Sequence, residues 1–424
     1  MRQNNSVRSG RFGRFFRIKK LILTAWIILS ILLLSIFISC SHKNSASGAA
    51  NTNGYLYQMF NSFDPRSLLQ NLGNNIIPPL FVNLKSSSDA LVAATDDLCA
   101  SDSLSAAQAA WVAHKSDLKK VEPFRFGTTL AYFTRMDPFL INYLTESSPN
   151  TGELDDLDVI TTGDISDAQQ AIGQMKNKAK GISAIEYILF SRAGANRGTA
   201  PSCGVDFSNA PDGRAALLRA LVLEYSGHVQ NVTDAWKVSG TNPLGTQLAT
   251  AGNGTSATFP SSGIALDVVL SSAIQLLSIM KDGKLEIPEG LSGGGNGSSP
   301  NSDRAESRFS GRSFDNLIDN LSTFKAIYTG NGTGAGLKDY VKFYSPDLAE
   351  EIDGEIAELE EHLGDITPST SNPPAAWGSA NATNFTAIKS SINDLSELLK
   401  ILNTELAALT GSSPVSGGPG GDGD

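Results

Sequence analysis

The sequence contains few of the residues that build metal sites from cysteine or histidine. Its 424 residues include only three cysteines and four histidines. No Cys-x-x-Cys spacing occurs, which excludes a cysteine-based zinc site and a thioredoxin-type motif. The His-Glu-x-x-His sequence of many zinc peptidases is also missing. Alternation of apolar and polar residues never persists beyond a few positions, so no strands are expected.

Basic residues are scarce once the N-terminus is set aside. Residues 1–39 hold seven Lys and Arg and no acidic residue, so the rest of the chain carries 26 basic and 43 acidic residues, a net charge of −17. An acidic body argues against nucleic acid as a partner and against electrostatic docking to anionic lipid. It is compatible with the capture of cations, although acidity by itself commonly serves solubility.

The N-terminus has the pattern of an export signal. A basic segment precedes an apolar run from Leu21 to Ser39, which corresponds to the n-region and h-region of a signal peptide. The run ends in Phe37-Ile38-Ser39-Cys40, which resembles a bacterial lipobox. We therefore predict a lipoprotein signal peptide over 1–39, a lipid such as palmitate on Cys40, and a tether over 40–54. The alternative is an uncleaved anchor, because about 19 apolar residues can span a bilayer. Both interpretations place the body in the cell envelope, outside the cytoplasmic membrane.

Two cysteines remain after Cys40 is assigned to the lipid. In an oxidising compartment, Cys99 and Cys203 are expected to form one disulfide. The alternative is a pair of buried thiols.

The periodic apolar residues are almost all spaced as in helices, which predicts an all-α fold of two helical bundles. Glycine-rich and serine-rich stretches suggest where the bundles begin and end. The predicted organisation is an N-terminal bundle over 55–240, a flexible linker over 241–262, a C-terminal bundle over 263–410 and a disordered tail over 411–424.

One carboxylate falls where the helical pattern requires an apolar residue. A single helix is expected from Ile165 to Phe190, and its apolar stripe leads to Glu186. A carboxylate on a buried stripe costs several kcal/mol unless it is paired, protonated or bound to a cation. Ser183 lies on the same face one turn earlier. Gly181 costs roughly 1 kcal/mol inside a helix relative to Ala, which suggests that another backbone or a ligand approaches closely there.

Four segments carry a resemblance to a known family. The first, Gly181-Ile182-Ser183-Ala184-Ile185-Glu186-Tyr187, resembles the Gly-x-His-x-x-Glu signature of the imelysin family, with Ser183 in place of the signature histidine. The other three are Trp111 followed by Glu122–Gly127, the lysine-rich segment Lys281–Pro288, and Glu306–Gly311. The resemblance implies two four-helix bundles and a location in the periplasm or on the bacterial surface. It also implies a family classed as metallopeptidases and associated with iron or haem uptake.

The polar residues of these segments form the predicted site. A ligand pocket is expected from Ser183, Glu186, Tyr187, Arg125, Glu306 and Ser307, and the candidate metal ligands are Glu186 and His114. Carboxylate and hydroxyl oxygens suit a hard cation such as ferric iron better than zinc. In the structural alternative, Arg125 is the buried ion-pair partner of Glu186, and His114 is a core histidine with its hydrogen bonds satisfied.

The sequence is consistent with three functional hypotheses. The leading hypothesis is a non-catalytic, membrane-tethered imelysin-like lipoprotein that binds iron or haem for uptake. The first alternative is a residual metallopeptidase that uses His114 or His228 with Glu186. The second is a surface scaffold for envelope or host proteins, which would be indifferent to Glu186. Ser183 argues against the peptidase, because a hydroxyl does not replace imidazole as a zinc ligand at ordinary pH.

Overall fold

A computed structural model describes residues 63–96, 98, 104–142, 149, 151, 154, 165–190, 213–237, 242–368 and 373–410. The predicted signal peptide, tether and tail lie outside these residues, as do Cys40, Cys99 and Cys203. Lipidation of Cys40 and the Cys99–Cys203 disulfide therefore remain predictions.

Every regular element of the described residues is helical, and the all-α prediction is confirmed. The first helices are α1 Arg66–Asn71, α2 Ile77–Asp96, α3 Leu104–Val121, α4 Leu130–Met136, α5 Phe139–Asn142, α6 Ile165–Gln174, α7 Gly181–Phe190 and α8 Gly213–Trp236. They are followed by α9 Leu244–Ala249, α10 Ser262–Ser278, α11 Ile287–Glu289, α12 Ser313–Thr329, α13 Leu337–Tyr344, α14 Pro346–Gly364, α15 Ala382–Ile401 and α16 Ala407–Thr410. Wider π-helical turns over Leu72–Ile76, Ile279–Glu286 and Leu402–Leu406 connect α1 to α2, α10 to α11 and α15 to α16.

Several helix ends have side-chain or glycine caps that the sequence supplies. The side chains of Ser261, Ser345 and Asn381 accept hydrogen bonds from backbone amides at the starts of α10, α14 and α15. Such caps satisfy amides that have no partner inside the helix. At the C-terminal end of α12, Gly330 adopts a left-handed conformation with φ 76°, as glycine often does after a helix.

The described chain from Asp64 onward forms one compact unit. Within this unit, α2 packs against α3 and α8, and α14 packs against α15. Helix α12 packs against α3, and α10 against α15. Helix α3 thus lies between elements of the first and second halves of the chain, which places its side chains where distant segments meet. The predicted boundaries between two bundles remain a prediction.

The stretch predicted as a flexible linker contains ordered structure. Helix α9 lies within it, and the Phe259 side chain is 1% exposed. Phe259 packs edge-on against Phe126 at 6.1 Å, and Phe126 packs edge-on against Trp236 at 5.4 Å. Residues 242–262 are therefore held to the apolar core of the first half.

Helix α10 and the segment after it are long and apolar enough to cross a membrane by length and composition. The apolar window within Ser262–Gly294 is 61% buried, as in the core helix of a folded body. Of the described residues, this is the one helix that meets the criterion.

Candidate functional site

Helix α7, which carries the signature-like sequence, begins at a glycine that no other residue replaces easily. Gly181 has φ 74°, and a Cβ built there would lie 2.5 Å from the Met136 carbonyl oxygen. Such a conformation and so close a backbone approach both favour glycine. The expected close approach of another backbone is confirmed. The expected single helix from Ile165 to Phe190 is wrong, because an extended Lys180 and a short 3-10 turn separate α6 from α7.

Helix α3 holds α7 at both of its ends. The Trp111 indole Nε1 donates to the Ile182 carbonyl at 3.1 Å, and the Gln108 side-chain amide donates to the Leu189 carbonyl at 2.7 Å. Trp111 is fully buried. These two bonds fix the position and rotation of α7, and with them the direction in which Glu186 points.

Glu186 binds the backbone of a segment from the second half of the chain. Its Oε1 accepts hydrogen bonds from the Phe309 amide at 3.1 Å and from the amide and hydroxyl of Ser310 at 2.8 Å each. The side chain is 1% exposed. Burial raises the pKa of Glu186, and the bonds from Ser310 and Phe309 and the charge of Lys115 partly oppose that rise. Its other oxygen, Oε2, accepts no hydrogen bond from a described residue.

Arg125 is not the partner of Glu186, and that predicted ion pair is wrong. The donors to Glu186 are backbone and hydroxyl groups of residues 309 and 310. Arg125 is half-buried just after the 3-10 turn Glu122–Phe124, and its charge helps to lower the pKa of Glu122. Its charge therefore acts on a different group of ionisable residues, which includes Glu122 and is described below.

A stack of three side chains lies beside Glu186. The rings of Tyr187 and Phe309 are 4.9 Å apart, and the Arg308 guanidinium lies 4.6 Å from the Phe309 ring centroid. Burial lowers the pKa of Arg308, and the charges of Asp303, Glu186 and Tyr187 oppose that fall. Arg308 was not among the site residues predicted from the sequence. It could have been found as the one cation inside the Glu306–Gly311 segment.

The remaining predicted pocket residues divide between two places. Ser183 is buried on α7, one turn before Glu186. Ser307 is also buried, with φ 53°, and its Oγ accepts from Asn316 at 2.9 Å. Glu306 belongs to the same segment as Phe309 and Ser310, but its carboxylate lies elsewhere, among lysines. The segment Glu306–Ser310 thus connects α7 to a second polar centre.

That second centre is a cluster of buried ion pairs that the sequence analysis missed. Glu306 forms ion pairs with three lysines, to Lys115 at 3.0 Å, to Lys284 at 3.2 Å and to Lys119. Lys119 also pairs with Asp137 at 2.8 Å. We call the whole group the ion-pair cluster, and its members are Lys115, Lys119, Glu122, Asp137, Lys284 and Glu306. All six side chains are at most 1% exposed.

Proximity of opposite charges sets the protonation states in the ion-pair cluster. Burial alone would raise the pKa of Glu306, but Lys115, Lys119 and Lys284 hold it well below its usual range. Burial alone would lower the pKa of Lys119, but its carboxylate neighbours hold that pKa above its usual range. Lys119 and Lys284 likewise hold the pKa of Glu122 at about 2 against the effect of burial. Burial lowers the pKa of Lys284, and the charges of Glu122 and Glu306 oppose that fall only in part. The charges of the cluster thus depend on one another.

His114 is a core histidine with both ring nitrogens engaged. Nδ1 is 2.9 Å from the Ser87 hydroxyl, and Nε2 is 2.6 Å from the Tyr225 hydroxyl. Ser87 donates its own proton to the Leu84 carbonyl, so it accepts from Nδ1, and Nε2 accepts from Tyr225. Burial, helped by the charge of Lys115, lowers the pKa of His114 to about 3.

The two candidate metal ligands share no hydrogen-bond partner. Glu186 bonds to residues 309 and 310, whereas His114 bonds to Ser87 and Tyr225. In the part of the chain that the structure describes, no group of three or more His, Cys, Asp or Glu side chains could hold a metal ion. His228 is half-buried beside the Tyr132 ring, and burial lowers its pKa.

The fold and the site define an all-helical protein whose signature-like helix is joined to a polar segment of its second half. The family model for imelysin, peptidase M75, matches residues 78–402. The chain therefore belongs to the imelysin family. No curated protein matches the sequence.

Two solved structures share the fold. An imelysin-like protein from Psychrobacter arcticum 273-4 is 15% identical with a TM-score of 0.59, and the match covers 82% of this chain and 96% of that one. A protein of Parabacteroides distasonis ATCC 8503, described as an iron-regulated protein A precursor, is 16% identical with a TM-score of 0.61. That match covers 80% of this chain and 93% of the other. At these identities the likeness concerns the fold.

Proposed function

We propose that this imelysin-family chain is a membrane-tethered, non-catalytic protein that binds iron or haem for uptake. Family membership and the iron-regulated description of one structural neighbour support the connection to iron. The net charge of −17 outside residues 1–39 is compatible with a ligand that carries a metal cation. The ligand site is the face formed by Ser183 and Glu186 of α7 with Tyr187 beside it.

The observation that carries this proposal is the asymmetric use of the Glu186 carboxylate. Three donors fix Oε1, whereas Oε2 accepts no hydrogen bond from a described residue. A carboxylate held in this way keeps one oxygen oriented for a cation without having to reorganise. Carboxylate oxygen is a ligand type that suits hard cations such as ferric iron.

A peptidase mechanism has less support. A catalytic zinc site typically uses about three protein ligands and an open position for water. Ser183 stands where the family signature has histidine, and both nitrogens of His114 are engaged in hydrogen bonds. A binding function needs only the oriented carboxylate and neighbouring polar groups.

The experiment is ligand analysis of the purified full-length chain in detergent, with and without added iron, haem and zinc. We expect equimolar iron or haem on the wild type and loss of the ligand in Glu186→Ala. Glu289→Gln is the matched control, because Glu289 is also a buried carboxylate that accepts from a backbone amide, that of Gly378. The control is expected to bind as the wild type does.

Two results would contradict the proposal. One is a wild type that binds no iron or haem, with Glu186→Ala changing only the stability, which would favour the scaffold hypothesis. The other is tightly held zinc with protein cleavage that Glu186→Ala abolishes, which would favour a peptidase.

The tether is tested separately. Mass spectrometry of the mature N-terminus is expected to find lipid on Cys40 and no residue before it. An intact N-terminus starting at Met1 would establish the alternative, an uncleaved anchor.

A further inference from the structure

The stack of Tyr187, Phe309 and Arg308 brings a cation to the edge of the Glu186 site. Phe309 is in the middle, and its backbone amide is one of the donors to Glu186 Oε1 at 3.1 Å. The position of the Arg308 guanidinium is thus tied to that of the carboxylate through a single residue. A positive group and a negative group are therefore both anchored on Phe309, one over its ring and the other at its backbone amide.

A single hydrogen bond joins the Arg308 guanidinium to the described part of the protein. Nη1 donates to the Asp303 carbonyl oxygen at 2.7 Å. Nε is buried and has no hydrogen-bond partner among the described residues. Nη2 donates to none of them either, since the bond from Nη1 is the hydrogen bond that Arg308 makes with them. A buried donor without an acceptor is costly. The Nε–Nη2 edge therefore lacks the acceptor that a guanidinium normally finds.

The acid that pairs with Arg308, Asp303, does not fill this edge. The Asp303 carboxylate lies 3.6 Å from Nη1, on the occupied side, and its side chain is 83% exposed, whereas that of Arg308 is 13% exposed. An ion pair whose acid is so exposed contributes little to stability. The guanidinium is thus a mostly buried cation whose Nε–Nη2 edge has no acidic partner among the described residues.

We propose that Arg308 binds a carboxylate group of the ligand, so that the site recognises an iron compound bearing carboxylates. This inference rests on the proposed function. The Nε–Nη2 edge of a guanidinium matches the two oxygens of a carboxylate and forms two parallel, charge-assisted hydrogen bonds. Glu186 Oε2 attracts the cationic part of the ligand while Arg308 takes its anionic part. The juxtaposition of Glu186 and Arg308 thus fits a ligand with both charges.

Carboxylates of this kind have two sources, the propionates of haem and the hydroxycarboxylates of ferric chelates. Three probes distinguish them: haemin, haemin dimethyl ester, in which the propionates are neutral esters, and ferric citrate. Each is titrated into the full-length chain in detergent, followed by absorbance for the haems and by bound iron for the citrate.

The informative variants are Arg308→Gln, which removes the charge, and Arg308→Lys, which keeps the charge but not the paired donors. The matched control is Arg312→Gln. Arg312 directly follows the segment and is similarly buried, and its Nε also lacks a hydrogen-bond partner among the described residues. It differs from Arg308 in that both of its terminal nitrogens pair with acids, Nη1 with Asp315 and Nη2 with Asp319. Far-UV circular dichroism and the melting temperature check that each variant folds. Arg308→Lys keeps the test valid if Arg308→Gln does not fold.

We expect the affinity for haemin or for ferric citrate to fall about 10-fold or more in Arg308→Gln, less in Arg308→Lys, and not in Arg312→Gln. If haem is the ligand, haemin dimethyl ester binds weakly to the wild type and equally weakly to Arg308→Gln. If a ferric hydroxycarboxylate is the ligand, ferric citrate binding falls and haemin binding does not depend on Arg308.

Failure of the Arg308 inference can be distinguished from failure of the proposed function. If the wild type binds haemin or ferric citrate and Arg308→Gln binds both equally well, the Arg308 inference is wrong and the proposed function stands. If the wild type binds neither probe, and Glu186→Ala does not differ from it, the proposed function fails and the inference fails with it.

Discussion

Replacing Glu306 by glutamine removes the one carboxylate of the ion-pair cluster that pairs with all three of its lysines. Lys115 lies 3.0 Å from Glu306, Lys284 lies 3.2 Å away, and Lys119 also forms an ion pair with it. Glutamine has nearly the same volume, so the substitution changes charge without opening a cavity. The loss therefore reports electrostatics rather than packing.

The expected cost follows from burial. Removing one partner of a buried ion pair typically costs about 3–5 kcal/mol, because the remaining charges are left without compensation. The lysine side chains and Glu306 are at most 1% exposed, so water does not screen them. Two carboxylates, Glu122 and Asp137, would remain for three lysines, so we expect a value near the lower end, about 3 kcal/mol.

The assay is equilibrium unfolding in urea at pH 7, followed by circular dichroism. With an m-value of about 3 kcal/mol/M, a loss of 3 kcal/mol lowers the midpoint by about 1 M. The matched control is Glu360→Gln, which breaks the exposed pair with Lys325 and is expected to cost no more than about 1 kcal/mol.

The pH dependence provides a second check. The pKa of Glu306 lies well below its usual range in the folded protein because of the three lysines. Its contribution to stability is therefore complete above the unfolded pKa and lost as the pH falls through the folded pKa. The difference between wild type and Glu306→Gln should shrink in acid. A cost at pH 7 no larger than that of Glu360→Gln would refute a buried, ionised cluster.

Two further predictions concern other positions. Burial raises the pKa of Glu289 to about 7, and the hydrogen bond from the Gly378 amide opposes that rise only in part. The contribution of Glu289 to stability is therefore lost as the pH rises through 7, and Glu289→Gln should flatten the measured fall in stability between pH 5 and 8. An unchanged profile would contradict the raised pKa. Gly181→Ala should cost about 2 kcal/mol in the same urea assay, because φ is 74° and a Cβ would lie 2.5 Å from the Met136 oxygen. Gly173→Ala, within α6 and with no atom within 4 Å of the added Cβ, should instead be neutral or stabilising, and equal effects at both glycines would refute the argument.

Helical periodicity was sufficient to predict the fold class, and it also selected Glu186 correctly as a carboxylate in a buried position. It did so because Glu186 interrupts an otherwise apolar stripe on α7. The prediction of one continuous helix from Ile165 to Phe190 was wrong. Spacing alone does not reveal that Lys180 is extended and that Gly181 starts a new helix at positive φ.

The partner of Glu186 was not predictable from side-chain charge. A search for an opposite charge leads to Arg125, whereas the structure uses the amides of Phe309 and Ser310. Backbone donors are present at almost every residue, so the sequence does not indicate which of them turns toward a given carboxylate. Their position depends on how residues 306–311 fold against α7.

The ion-pair cluster was missed for a related reason. Lys115, Lys119 and Glu122 recur at spacings of four and three residues, which is also the pattern of a solvated helix face. Their burial arises because Lys284 and Glu306 come from more than 160 positions further along the chain. The available signal was that Lys115 and Lys119 lie on the same helix as the buried Trp111 and His114.

Binding of iron or haem at Glu186 is tested most directly by the amount of each bound per full-length chain purified from cells grown with iron, compared between wild type and Glu186→Ala. We expect an equimolar ligand on the wild type and little or none on a variant that remains folded. Equal amounts on both proteins would contradict the assignment of the site to Glu186. The absence of both iron and haem from the wild type would contradict the binding function itself.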